Sequence, residues 1–77
     1  MQAVMQIDDK LQLLIDIDDV IAFTRLGKAT IYRKMQKSHK LYDASFPRPV
    51  DVGVNINLWR YEDIKAWVSN RPMRSAA

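Results

Sequence analysis

The stretch RLGKATIYRKM, residues 25–35, gathers the side chains of this chain best suited to binding chemistry. Arg25, Lys28, Arg33 and Lys34 supply cations, Thr30 and Tyr32 supply hydroxyls, and Ala29 supplies a small surface that allows close approach. Ammonium and guanidinium groups bind phosphate, and an arginine aimed into a major groove can bond O6 and N7 of guanine together. Charge placement sharpens that reading. The whole chain carries only +3, but residues 1–24 sum to −4, residues 25–49 to +6 and residues 50–77 to +1. A concentrated positive segment attracts phosphate backbones or acidic partners. The same charges also fit the solvated face of an ordinary small domain, so charge alone leaves both readings open.

Other chemistries find little support. The 77 residues suffice for one small domain and contain no cysteine, so no disulfide framework, thiolate metal site or thiol nucleophile is available. The one histidine, His39, lies in a lysine-flanked loop, and a lone histidine there reads as a solvated side chain. The acid pairs at 8–9 and 18–19 have no converging partners for a metal, and the second pair is accounted for by helix capping. Gly27 and Gly53 are the only glycines, which excludes a glycine-rich phosphate loop. No enzyme activity, cofactor, metal or small-molecule ligand is expected. LQLLIDI is too short and too acid-flanked for a signal peptide or a membrane span, so a soluble cytoplasmic protein with no membrane partner is expected.

Three helical segments and a hairpin must position the basic stretch. Asp16 precedes Ile17, Val20, Ile21 and Thr24 at helical spacing, with Asp19 three residues on, the pattern of a capping box built from acids. The first helix is therefore expected over Ile17 to Thr24. The second is expected from Lys28, with Gly27 as N-cap, to Lys37 or Ser38. So short a connection packs two helices at a steep angle, the geometry of a helix-turn-helix. At 100° per residue, Ile31 and Met35 point inward while Ala29, Arg33, Gln36 and Lys37 point out, with Tyr32 and Lys34 on the flanks and Lys28 in the first turn. SHKLYDAS reads as a loop. Val50, Val52, Val54, Ile56 and Leu58 then alternate around Gly53, predicting strands over about Arg48 to Val52 and Ile56 to Trp59. A third helix over about Tyr61 to Ser69 should turn Ile64, Trp67 and Val68 inward, with Trp59 and Trp67 in the core.

In that order, LIDIDDVIAFTRL, KATIYRKM, FPRPVDVG and WRYEDIKAWV resemble the AlpA family of small phage and genomic-island regulators, close to the excisionase-type winged helix-turn-helix proteins, over about residues 13–71. The resemblance implies a mainly α fold with a small β-hairpin. It also implies a cytoplasmic, nucleoid-associated DNA-binding protein that controls transcription of integrase-linked genes or directs prophage excision by binding and bending DNA. The chain departs from the family pattern in three places. Arg25 stands where the family has a turn glycine and Gly27 where it has a cap serine, the hairpin tip DVGVNINL has no cation, and the loop from Ser38 to Ser45 is longer.

The expected organisation is a flexible arm over 1–12, a DNA-binding domain over 13–71 and a disordered tail over 72–77. The expected DNA surface comprises Arg25, Lys28, Ala29, Thr30, Tyr32, Arg33, Gln36, Lys37, Arg48 and Asn55, with double-stranded DNA as partner. Integrase, or further copies of the chain on repeated sites, are additional expected partners. The competing reading is a protein-binding adaptor or antirepressor on the same fold, supported by the acidic and apolar start MQAVMQIDDKLQLL.

Overall fold

Asp16 starts the first helix by the expected device. Its carboxylate accepts the Asp19 N–H at 3.0 Å, and Asp19 returns a carboxylate to the Asp16 N–H at 3.3 Å, closing a capping box in front of helix α1 (Ile17–Thr24). The computed structural model describes residues 13–74, so the arm expected over 1–12 and the end of the expected tail lie outside the described residues. Strand β1 (Leu14–Ile15) precedes α1. Helix α2 (Lys28–Lys34), strand β2 (Trp59–Arg60) and helix α3 (Tyr61–Ser69) follow.

Helix α1 ends where its chain turns left-handed. Arg25 has φ 64° and donates its N–H to the Ile21 carbonyl at 2.7 Å. Thr24 holds the turn from both sides, donating its hydroxyl to Val20 O and accepting the Leu26 N–H. Three residues, 25–27, separate Thr24 from the start of α2, completing the helix-turn-helix.

Ile15, Val20, Ile31, Phe46, Trp59, Ile64 and Trp67 form the buried core, with Ile17, Ile21, Leu26, Tyr32, Met35 and Tyr61 packed around it. Every element contributes at least one of these, so the core ties the two helices to the sheet and to α3. Trp59 and Trp67 lie inside as expected. Val68 does not: it is exposed, and faces a groove against α1 instead.

The two-stranded sheet joins distant parts of the chain. β1 and β2 run antiparallel, with Leu14 opposite Arg60 and Ile15 opposite Trp59, and the Tyr61 N–H continues the ladder to Leu13 O at 2.8 Å. The hairpin is correspondingly looser than its alternation predicts. Its single bridge pairs Val50 with Leu58. Beyond that bridge no layer of the described residues covers either face, so Val52, Val54 and Ile56 gain nothing by extending the ladder. The tip instead bends at Gly53, φ 88°, and again where the Ile56 N–H bonds Val54 O across Asn55. Three helices, the small sheet and this wing make up a mainly α, winged helix-turn-helix fold.

Candidate nucleic-acid interface

Helix α2 is held from beneath by two side chains. Ile31 is fully buried, and the Tyr32 ring packs on Trp59 with centroids 6.5 Å apart. With those positions fixed, the helical period turns Lys28, Ala29 and Arg33 outward, and all three are exposed. Thr30 is half-buried. Lys34 turns the other way, with Nζ 5.8 Å from the Trp67 ring centroid, and so belongs to the α2–α3 contact rather than to the outer face.

The helix is shorter than its sequence predicts. It ends at Lys34, so Gln36 and Lys37, expected on its outer face, sit in the following turns, exposed but off the helical wheel. The cause is tertiary. The Met35 N–H bonds back to Tyr32 O and the Gln36 N–H to Arg33 O, tightening the last turn, while the Lys34 carbonyl accepts the Asp43 N–H at 2.9 Å. With the loop occupying that carbonyl, the next helical N–H has no place on it.

The loop from Met35 to Ser45 is built from successive tight turns. The His39 N–H bonds Gln36 O and the Tyr42 N–H bonds His39 O. His39 accepts the Leu41 N–H on Nδ1 at 3.0 Å, which gives the imidazole a local structural role. Asp43 anchors the loop. It accepts the Ser45 hydroxyl at 2.6 Å and the Ser45 N–H at 2.8 Å, and faces Arg71 at 3.7 Å. The Ser45 hydroxyl is the main cause holding the Asp43 carboxyl below its ordinary value; partial burial opposes it, and the Ser45 N–H, the nearby Trp67 indole N–H and, least of all, the Arg71 charge add to it. Arg71 in turn lies over Trp67, 4.2 Å from the ring centroid. The Trp67 indole N–H is buried without an acceptor at hydrogen-bonding geometry.

Arg25 is exposed in the turn before α2, Arg48 is exposed before the wing, and Asn55 is exposed at the wing tip. Among the described residues none of Arg25, Lys28, Arg33, Lys37 and Arg48 takes part in an ion pair. These cations are free to meet an external anion. The wing is also attached to α2, through a hydrogen bond from Asn57 Nδ2 to the Tyr32 hydroxyl at 3.3 Å. Sequence alone offered no signal for this pairing, because the two residues sit on different elements and neither is patterned. Among the described residues no group of three His, Cys, Asp or Glu is placed to hold a metal, and no helix is long and apolar enough to cross a membrane.

The family model described as prophage CP4-57 regulatory protein (AlpA) matches residues 14–72. No curated protein and no solved structure matches the chain.

Proposed function

The chain belongs to the AlpA family of prophage regulatory proteins, and on that premise we propose that it binds double-stranded DNA in a sequence-dependent way, with α2 in the major groove and the wing against the adjoining groove. The observation that carries this reading is the outer face of α2. Lys28, Ala29 and Arg33 stand exposed side by side on a helix pinned by Ile31 and Tyr32, and neither cation is spent on a carboxylate of the described domain. Arg33 is the base-reading residue, able to bond guanine O6 and N7 together. Arg25, Lys28, Lys37 and Arg48 neutralise phosphates, while Thr30, Gln36 and Asn55 supply polar contacts. The regulatory output is control of transcription, direction of prophage excision, or both from one set of sites, in the bacterial cytoplasm.

The test is fluorescence anisotropy at several salt concentrations, on duplexes drawn from DNA flanking the chain's own gene and on scrambled controls. Arg33→Ala should weaken the preferred site by about 1–3 kcal/mol and relax preference at one base pair. Lys37→Ala should weaken all duplexes alike and lower the salt slope by about one unit. Equal loss of preferred and scrambled binding in Arg33→Ala would make α2 an electrostatic anchor, with sequence preference arising from DNA shape. No binding by the wild type at low salt would sink the DNA reading.

One observation favours a protein partner as a second reading. Phe23, 47 % exposed, and Val68 border a groove of about 130 Å³ with Tyr61, Lys65 and Ser69. This groove lies between α1 and α3 and uses none of the proposed DNA-contacting residues, so an integrase, another copy of the chain or the target of an antirepressor could dock there without displacing DNA. Phe23→Ser that leaves duplex binding intact but abolishes a regulatory effect in cells would support it.

A further inference from the structure

The wing presents the wrong chemistry for gripping phosphate. From Asp51 to Leu58 it contains no lysine or arginine, and its one charge is negative. The Asp51 carboxylate is folded back on its own turn, accepting the Gly53 N–H at 2.9 Å. What the wing offers outward is aliphatic: Val54 is 63 % exposed, Ile56 51 % and Val52 37 %. Leaving three aliphatic side chains in water within five residues costs hydrophobic free energy that a single-bridge hairpin does not recover internally.

The wing's attachment decides what these side chains meet. Its base is fixed by the Val50 N–H bonding Leu58 O at 2.7 Å and by Trp59 in the core, and its side by Asn57 on Tyr32 of α2. The tip therefore projects from the flank of the same helix whose outer face carries Arg33. Three side chains are also far short of the roughly 800 Å² per partner that a stable protein interface buries. A narrow groove suits so small a surface better, because its walls enclose the side chains on two sides.

We propose that Val54 and Ile56 enter the minor groove of the bound duplex as an apolar wedge, with the Asn55 amide between them on the base edges. This deepens the DNA-binding reading and rests on it. Apolar side chains pressed against the minor groove partly unstack a base step and bend the duplex toward the major groove. The minor-groove floor of an A·T pair presents only acceptors, to which the Asn55 amide can donate. A wedge of this kind contributes affinity and bend without contributing charge. Sequence preference under the wing then follows the ease of deformation of the step it opens.

The experiment pairs Val54→Ser/Ile56→Ser with Arg33→Ala in the full chain, reading anisotropy at three salt concentrations and energy transfer between dyes at the duplex ends under saturating protein. Both altered wing residues are exposed, and thermal melts by circular dichroism check that the fold is kept. The wing variant should lose about tenfold in affinity or more at every salt concentration with an unchanged salt slope, and should bend the duplex less. Arg33→Ala should relax preference at one base pair yet keep the wild-type bend at saturation. Wild-type affinity and bend in the wing variant would overturn the wedge while the DNA reading survives on the Arg33→Ala result. A loss accompanied by a shallower salt slope would also overturn it, as would unchanged DNA binding with loss of self-association in sedimentation, which would make the wing a protein surface. Failure of the wild type to bind any duplex removes the DNA reading itself, and is told apart because it requires no variant.

Discussion

Asn57 donates its side-chain amide to the Tyr32 hydroxyl at 3.3 Å, joining the wing to helix α2 across 25 residues of sequence. Tyr32 therefore has two attachments of different kinds: its ring packs on Trp59 and its hydroxyl holds the wing. The ring supports the fold, and the hydroxyl sets where the wing points.

Tyr32→Phe separates these roles. The ring contact survives, so the melting transition should shift by no more than about 1 kcal/mol, the ordinary worth of one exposed hydrogen bond. Duplex affinity and bend should fall by more than that stability change explains, because the wing loses its fixed direction. Equal affinity for Tyr32→Phe and wild type on the preferred site would show that the tether plays no part in binding.

Trp59 tests the core. It is fully buried, meets Tyr32, and donates its indole N–H to Pro47 O at 3.2 Å. Trp59→Ala should cost about 3–5 kcal/mol, comparable to the whole stability of so small a domain, and leave no cooperative melt. Trp59→Phe keeps most of the apolar volume and leaves Pro47 O without its donor, so it should melt cooperatively at a lower temperature. A near-wild-type transition for Trp59→Ala would contradict the central place of this residue.

Which parts of the structure the sequence announced follows from the range of the interactions involved. The capping box of Asp16 and Asp19 is a contact three residues apart, and the helical spacing after it is local, so α1 could be read residue by residue. The outward turn of Lys28, Ala29 and Arg33 follows from the same period once Ile31 is recognised as buried. The end of α2 could not be read, because Gln36 and Lys37 are good helix formers and the helix is stopped by the Asp43 N–H arriving on Lys34 O from the loop. The β1–β2 ladder is two residues long on each side and too short to show a period. In the wing the pattern misled: alternation at Val52, Val54 and Ile56 predicts a strand face packed on a layer, and no element among the described residues supplies one. The departure leaves these side chains exposed, and it is on that exposure that the proposed wedge rests.

Arg25 offers a prediction in which stability and binding move in opposite directions. Its φ of 64° puts a side chain where glycine is at ease, a cost of about 1 kcal/mol. Gly27, by contrast, has ordinary extended backbone and its Cβ position is open, so it makes no such demand. Arg25→Gly should stabilise the domain by up to about 0.5 kcal/mol, less than the full relief because glycine also frees the unfolded chain, and raise the melting temperature by a few degrees at most. If Arg25 neutralises a phosphate, the same variant should bind every duplex more weakly with a salt slope lower by about one unit. A variant that is more stable and binds equally well would remove Arg25 from the interface.

Asp43 gives the fold a predictable response to acid. Its carboxylate accepts two hydrogen bonds from Ser45 and faces Arg71 at 3.7 Å, while its N–H closes the end of α2. The carboxyl is held below its ordinary value of 3.8, chiefly by the Ser45 hydroxyl. Because the unfolded chain takes up the proton more readily than the folded one, stability rises with pH across this window. The contribution is complete above the ordinary value of 3.8 and disappears as pH falls below it through the lower folded value. Asp43→Asn keeps an acceptor oxygen and the backbone N–H but removes the charge. It should cost about 1 kcal/mol at neutral pH, and the gap to wild type should narrow as pH falls below the ordinary carboxyl value and the wild-type Asp43 takes up its proton. Added salt should change the gap little, since the long, partly exposed Arg71 pair is the weaker component and the Ser45 bonds are short and local. Thermal melts of both proteins at steps from pH 7 to pH 2 measure this directly. A gap that stays constant over that range would show that the shape of Asp43, not its charge, holds the loop against α2.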